Sequence, residues 1–259
     1  MTDTSVRILV LAGRRDGDGA VARIKDVSHK ALAPVAGVTM LERVVSTLRM
    51  ALPRAELGVA IDDGPDIAAV LQRLSQAGRI VQVPPEASPA ATVAAAMTRL
   101  PPPLLIVAAD HPLLTAEMVR HFLGHLPPGI DAAVAVARRE TIVARYATKR
   151  TYWRFSDGSF SGCNLFYLGA NGAARIVEFW KIFERERKYP WKAVRRLGPV
   201  VLLRFAFGRI DLAGVLDRLG SKTGTRLSAV EMPFAEAAID VDRPADLDLA
   251  EDILRREVR

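Results

Sequence analysis

The chain has 259 residues, half of them hydrophobic, which is enough to bury a large core. Its only cysteine, Cys163, excludes an internal disulfide and a cysteine-based zinc cluster. The net charge of +7 comes from 36 basic and 29 acidic residues. It is concentrated between Lys181 and Arg209, where nine basic residues face two acidic ones, and the rest is balanced. A uniformly basic nucleic-acid binder is therefore excluded, since charge and aromatic residues do not recur along a face.

Val6 to Ala12 is a continuous apolar run that ends at Gly13, the pattern of a strand buried on both faces. A polar, glycine-bearing loop is expected from Arg14 to Lys30, then an amphipathic helix over Thr39 to Met50. Strands follow at Leu57 to Ile61, Arg79 to Val83, Leu104 to Ala109 and Ala132 to Ala137. Helices separate them at Pro65 to Ala77, Pro89 to Arg99 and Thr115 to Leu126, the last with Thr115 as N-cap. This alternation predicts an α/β fold: three layers, Rossmann-like, with a mixed, mostly parallel sheet covered on both faces. Such sheets bind ligands at the carboxyl ends of their strands, where Gly13 and Asp110 lie.

Beyond Arg138 the rhythm changes. Ser156-Asp157-Gly158, between Tyr152 to Phe155 and Phe160 to Tyr167, predicts a hairpin. Helical stretches are expected over Gly169 to Arg187 and Pro190 to Gly220, the second broken near Gly198-Pro199 and Gly208. Short strands are expected at Thr225 to Met232 and Ala237 to Val241, and a closing helix at Pro244 to Val258. The whole chain, 1–259, reads as one domain with an elaboration at about 138–225. The start of the chain lacks the pattern of a secretory signal, and its apolar runs fall short of the roughly 18 residues of a spanning helix. A cytoplasmic location is the expectation.

Three segments carry candidate chemistry. The first is the loop after strand one, with Leu11, Ala12, Gly13, Arg14, Lys25 and Lys30. Backbone N–H groups and basic side chains at a strand end can cradle a triphosphate, and the same residues also suit a plain surface loop. The loop is neither a P-loop nor a GxGxxG fingerprint. The second is Asp110-His111-Pro112, a carboxylate at the end of a buried strand, placed either to bind a divalent cation or to cap the next turn. The third is Asp240-Val241-Asp242, where strand alternation puts both carboxylates on one side. Asp242 also suits the N-cap of the last helix.

Taken in order, LAG…K…LxPVxGxxML, a strand ending in DxPLL, and DVDxPxDL near the C-terminus resemble the MobA-like nucleotidyltransferases. The resemblance covers roughly residues 6–137 and 226–258. It implies a nucleotide-diphospho-sugar-transferase fold and a magnesium- or manganese-dependent in-line attack on the α-phosphate of a nucleoside triphosphate. CTP and GTP are the expected donors. By the same resemblance, Leu11, Ala12 and Gly13 line the nucleotide, and Arg14, Lys25 and Lys30 face its phosphates. Asp110 and Asp242 hold the metal, and Thr92 lies near the base or ribose. Lys30, Asp110 and Arg14 would be the catalytic set. The loop departs from the usual LAAGxSxRMG pattern: it is one small residue shorter and carries Asp16 and Asp18.

The acceptor, a phosphorylated small molecule or a lipid-linked phosphate, is expected at Gly162 and Asn164 and at Lys188 and Lys192. Cys163 between the first two reads as a buried small hydrophobe. The basic, aromatic stretch 181–209 suits peripheral contact with an anionic inner-membrane surface, an acceptor-phosphate pocket, or a solvated face. Two other functions stay open. One is a nucleotide-sugar-dependent glycosyltransferase of related fold, against which the C-terminal place of Asp240-x-Asp242 argues. The other is an inactive nucleotide sensor or membrane adaptor, kept open by the acidic Asp16–Gly19 stretch. Composition does not set the oligomeric state.

Overall fold

The computed structural model describes residues 6–14, 19–186 and 209–257. Numbered over these residues, the N-terminal part runs β1 (Arg7–Leu11), α1 (Gly19–Ile24), a 3₁₀ turn (Lys30–Leu32), β2 (Pro34–Val35) and β3 (Val38–Thr39). It continues through α2 (Met40–Ala51), β4 (Leu57–Ala60), α3 (Pro65–Ser75), β5 (Ile80–Val83), α4 (Pro89–Ala96), β6 (Leu104–Ala108), α5 (Ala116–Gly124) and β7 (Ala132–Arg138). Then come α6 (Arg139–Val143), β8 (Trp153–Phe155), β9 (Gly158–Leu168), α7 (Ala173–Glu186), α8 (Leu212–Thr223), β10 (Leu227–Glu231) and α9 (Pro244–Glu257).

The main sheet has the order β10-β7-β9-β6-β1-β4-β5, with β8 paired to β9. β1, β4, β5 and β6 are mutually parallel, as are β7 and β10, and β9 runs antiparallel to both β6 and β7. Every residue of β6 is buried, as a central parallel strand with both faces covered requires. Alternate residues serve opposite faces. Ile8, Val10, Leu105 and Val107 pack under α2, α3 and α5. Leu9, Leu104 and Ile106 pack under α4 and α7. A third apolar cluster joins Val21 of α1 and Val35 to Ile239, Val241, Leu247 and Ile253, fastening the C-terminal segment onto the N-terminal loop region.

Helix starts follow local chemistry. Thr39 caps α2 by accepting from the Glu42 N–H at 3.2 Å, and its hydroxyl donates to the Glu42 carboxylate at 2.7 Å. Thr115 caps α5 as expected, accepting from Met118 N–H. Thr39→Ala should cost about 1 kcal/mol, the usual worth of such a cap. Urea unfolding would show this as a lower midpoint with an unchanged slope.

The hairpin forms where the sequence places it, with Gly158 at φ +143° opposite Phe155. β9 outruns its neighbour: its last register pair with β6 is Leu165 opposite Val107, so residues 158–164 project past the carboxyl end of β6 and carry β8 with them. On its other side, Val134 and Val136 of β7 face Phe166 and Gly162, so β9 holds extra residues in a bulge. Asn164 sits there at φ +52°, the kind of irregularity that re-aims a side chain.

Several expectations need correction. The Arg14–Lys30 loop contains helix α1, and α6 follows β7 directly. Ala237 to Val241 is not a strand: a 3₁₀ turn covers Ala235–Ala238, and the chain then meets β6's end through one bond, Val241 N–H to Asp110 O at 2.8 Å. Of the helix expected over Pro190 to Gly220, the described part is α8, capped by Asp211 and closed by Gly224 at φ +63°. Residues 187–208, with Lys188, Lys192 and most of the basic stretch, lie outside the described residues, as do Asp16 and Asp18. Among the described residues no helix is long and apolar enough to cross a membrane.

Candidate active site

A narrow cleft opens at the carboxyl ends of β1 and β6, lined by Leu11, Ala12, Gly13, Lys30 and Asp110 with His29 beside them. Gly13 is needed sterically: a Cβ there would lie 2.9 Å from Pro85, in the loop after β5. Lys30 begins the 3₁₀ turn. His29 caps that turn, its Nδ1 accepting from Ala31 N–H at 3.0 Å. A neutral His29 ring therefore carries its proton on Nε2, which lies 3.4 Å from Asp62 Oδ2.

The Lys30 side chain is only 7% exposed, and its ammonium joins two carboxylates. It lies 2.9 Å from Asp110 Oδ2 and 3.1 Å from Asp242 Oδ1. Asp110 Oδ1 is buried and has no hydrogen-bond partner among the described residues. Burial pushes the Asp110 carboxyl above the usual carboxylate range. The Lys30 charge opposes that shift, and Asp240 and Asp242 add to it. Asp242 is the open member, 60% exposed. It is free to face Lys30 because Asp246 serves the helix start, accepting from Arg243 N–H at 2.9 Å.

The two carboxylates of the Asp-x-Asp segment thus do different things. Asp240 accepts from Asn164 Nδ2 at 2.6 Å and is ion-paired with Arg150 Nη2. Arg150, on the loop before β8, was not foreseen from the sequence. Asp62 was not foreseen either, although it follows the carboxyl end of β4 as Asp110 follows that of β6, and the same rule would have flagged it.

The remaining sequence candidates scatter. Arg14 follows Gly13 with an exposed side chain, bonded to Ser28 O at 3.0 Å, with Nε 3.7 Å from Asp62. Lys25 is engaged with Glu251 of α9 at 2.7 Å. Thr92 is buried, and its hydroxyl holds the loop after β5 by accepting from Glu86 N–H at 2.8 Å and donating to Ser88 O at 3.0 Å. Gly162 faces open space. His111 is buried, its Nε2–H donating to Glu236 O at 3.3 Å, and burial lowers its pKa. Burial likewise pushes the Cys163 thiol up, far from thiolate chemistry. A wider groove between α2 and α3 is lined by Glu42, Arg49 and Arg73, whose charged groups already bond one another or nearby carbonyls.

A mostly parallel sheet with a lysine and aspartates converging at the carboxyl ends of its first and central strands places the chain among α/β nucleotidyltransferases. The sequence profile of the MobA-like NTP transferase domain matches residues 8–207, and the chain belongs to that family. The match takes in the first of the two regions that carry the resemblance in sequence and runs on through the middle of the chain to residue 207, short of the 226–258 region that holds Asp242. Among solved structures, a hypothetical transferase from Thermus thermophilus superposes with a TM-score of 0.79 at 29% identity, over 94% of this chain and 99% of that one. A 2-C-methyl-D-erythritol 4-phosphate cytidylyltransferase, also from Thermus thermophilus, shares the fold at 17% identity, with a TM-score of 0.55 over 97% and 99% of the two chains. A nucleotidyl transferase from Methanothermobacter thermautotrophicus does so at 18% identity, with a TM-score of 0.55 over 98% and 99%. No curated protein sequence matches the chain significantly.

Proposed function

We propose that this chain transfers a nucleoside monophosphate from CTP or GTP to a phosphorylated acceptor and releases pyrophosphate. The observation that carries the reading is the buried Lys30 ammonium between Asp110 and Asp242, with Asp110 Oδ1 lacking a hydrogen-bond partner among the described residues. Among the described residues no three His, Cys, Asp or Glu side chains are arranged to hold a metal. Two carboxylates nevertheless suit Mg²⁺ or Mn²⁺, since magnesium takes one or two carboxylates and completes its shell with phosphate oxygens and water. When bound by Asp110 and Asp242, the ion supplies charge neutralisation at the phosphates.

The residues do the rest by position. The Ala12–Gly13 backbone lines the triphosphate, and Lys30 donates to oxygens on which charge grows. Arg14 meets the outgoing pyrophosphate. An acceptor phosphate oxygen then forms its bond to the α-phosphorus as the bond to the bridging oxygen breaks, and that electron pair leaves on pyrophosphate. The acceptor is placed on the side of the β8–β9 ribbon, past Gly162, within the 138–225 elaboration. The commitment of Asp240 to Arg150 and Asn164 weighs against a glycosyltransferase-type Asp-x-Asp metal motif.

Thermal unfolding with CTP, GTP, ATP and UTP, each with and without Mg²⁺, tests this. One triphosphate at a hundredfold its Kd should stabilise by about 2.7 kcal/mol, and only with metal present. That corresponds to a rise of roughly 5–10 °C in Tm for a chain of this size. Four flat traces with metal present would overturn the reading.

A further inference from the structure

Asp240 is two residues from Asp242 yet is withheld from the cleft. Its side chain is 14% exposed, and that of its partner Arg150 is 11% exposed. Asn164, aimed by the β9 bulge, satisfies Oδ2. The segment carrying Asp240 is fastened to the end of β6 by the Val241–Asp110 backbone bond. Burial and the opposing Lys30 charge dominate the Asp110 carboxyl, but the charge of Asp240 is also felt there. Arg150 is thus joined through Asp240 to the segment that carries Asp242, next to a site that already holds one cation between two carboxylates.

A guanidinium is always charged, presents a fork of donors, and does not stay unpaired when buried. Deprived of Asp240, the Arg150 charge would be left uncompensated behind a site whose Asp110 Oδ1 has no hydrogen-bond partner among the described residues. We propose that Asp240 is a positioning residue that sequesters Arg150, keeping a second cation off Asp110 and Asp242 so that this pair can take a divalent metal. The inference rests on the metal reading above. It assigns Asp240 no contact with the metal.

The test is Mn²⁺ binding to the full chain without nucleotide, read from the electron paramagnetic resonance signal of free Mn²⁺. Asp240→Asn should weaken binding on the order of tenfold, because the Arg150 charge, left uncompensated, acts on the metal's carboxylates. The double variant Asp240→Asn with Arg150→Gln should return to near the wild-type affinity. Arg150→Gln alone should bind at least as tightly as wild type, and it carries the test by itself should Asp240→Asn fold poorly. A double variant as weak as Asp240→Asn would make Asp240 a direct ligand and overturn the proposal. Weakening by Arg150→Gln alone would reduce the pair to a structural clamp and overturn it too. Failure of the wild type to bind Mn²⁺ would overturn the metal reading itself, and this inference with it.

Discussion

Lys30→Met should lower the turnover number for nucleotidyl transfer by about 10²–10³, the usual cost of removing one preorganised donor to developing charge. The substitution keeps most of the length of the stem, so the 3₁₀ turn and its His29 cap have no reason to move. It removes the ammonium that joins Asp110 Oδ2 to Asp242 Oδ1. Deleting one partner of a buried ion pair typically costs about 3–5 kcal/mol when the charge left behind loses its compensation, as that of Asp110 would here, whereas Lys30 keeps Asp242 when Asp110 is the one neutralised. The variant should therefore also melt lower than wild type without metal, and Mg²⁺ should recover part of the loss by taking the place of the ammonium. Single-turnover rates and melting curves with and without Mg²⁺ read the two effects separately. Wild-type turnover in this variant would remove Lys30 from the chemistry.

Asp110→Asn should move activity and stability in opposite directions. Activity should fall by a factor on the order of 10² or more, since metal-assisted charge neutralisation contributes several kcal/mol. The metal-dependent Tm rise with nucleotide should vanish. Stability should rise at neutral pH, because the folded state holds this carboxyl above its ordinary range, chiefly by burial and only partly offset by Lys30.

The sign follows from proton binding. A carboxyl with a raised folded pKa favours the folded state fully below its unfolded pKa, about 3.9 for Asp. It gives up that contribution as pH rises through the folded value. Wild type should therefore lose stability relative to Asp110→Asn across that window, and the two should converge at lower pH. Melting temperatures of both proteins between acid and neutral pH measure it. An Asn variant less stable than wild type at neutral pH would show that the attraction of Lys30 outweighs the cost of burying Asp110.

Much of this architecture is short-range physics and can be read from the chain alone. Branched apolar runs mark β1 and β6, because strands covered on both faces leave no place for polar side chains. Thr39 and Thr115 announce helix starts because a hydroxyl satisfies an N–H three residues on. Ser156-Asp157-Gly158 marks the hairpin because Gly158 accepts a positive φ. Lys30, Asp110 and Asp242 stand out for their place at strand ends and their order along the chain.

Which of these residues meet is a different matter, since pairing across long sequence separations depends on packing. Lys30 and Asp110 are 80 residues apart, and Lys30 and Asp242 are 212 apart. The apolar contacts of α9 with α1 and the N-terminal loop region bring them together. The same docking turns Lys25 to Glu251, 226 residues away. Alternation made Asp240 and Asp242 equivalent, but that argument assumes a strand, and here a 3₁₀ turn leads into a segment held to the end of β6 by a single backbone bond. Asp242 is therefore left facing Lys30 while Asp240 is taken by Arg150 and by Asn164 from the β9 bulge. Residue type and local spacing thus set out the elements and the candidate charges. Burial, the docking of the C-terminal segment, and ion pairs formed at long range decided which charge each one faces.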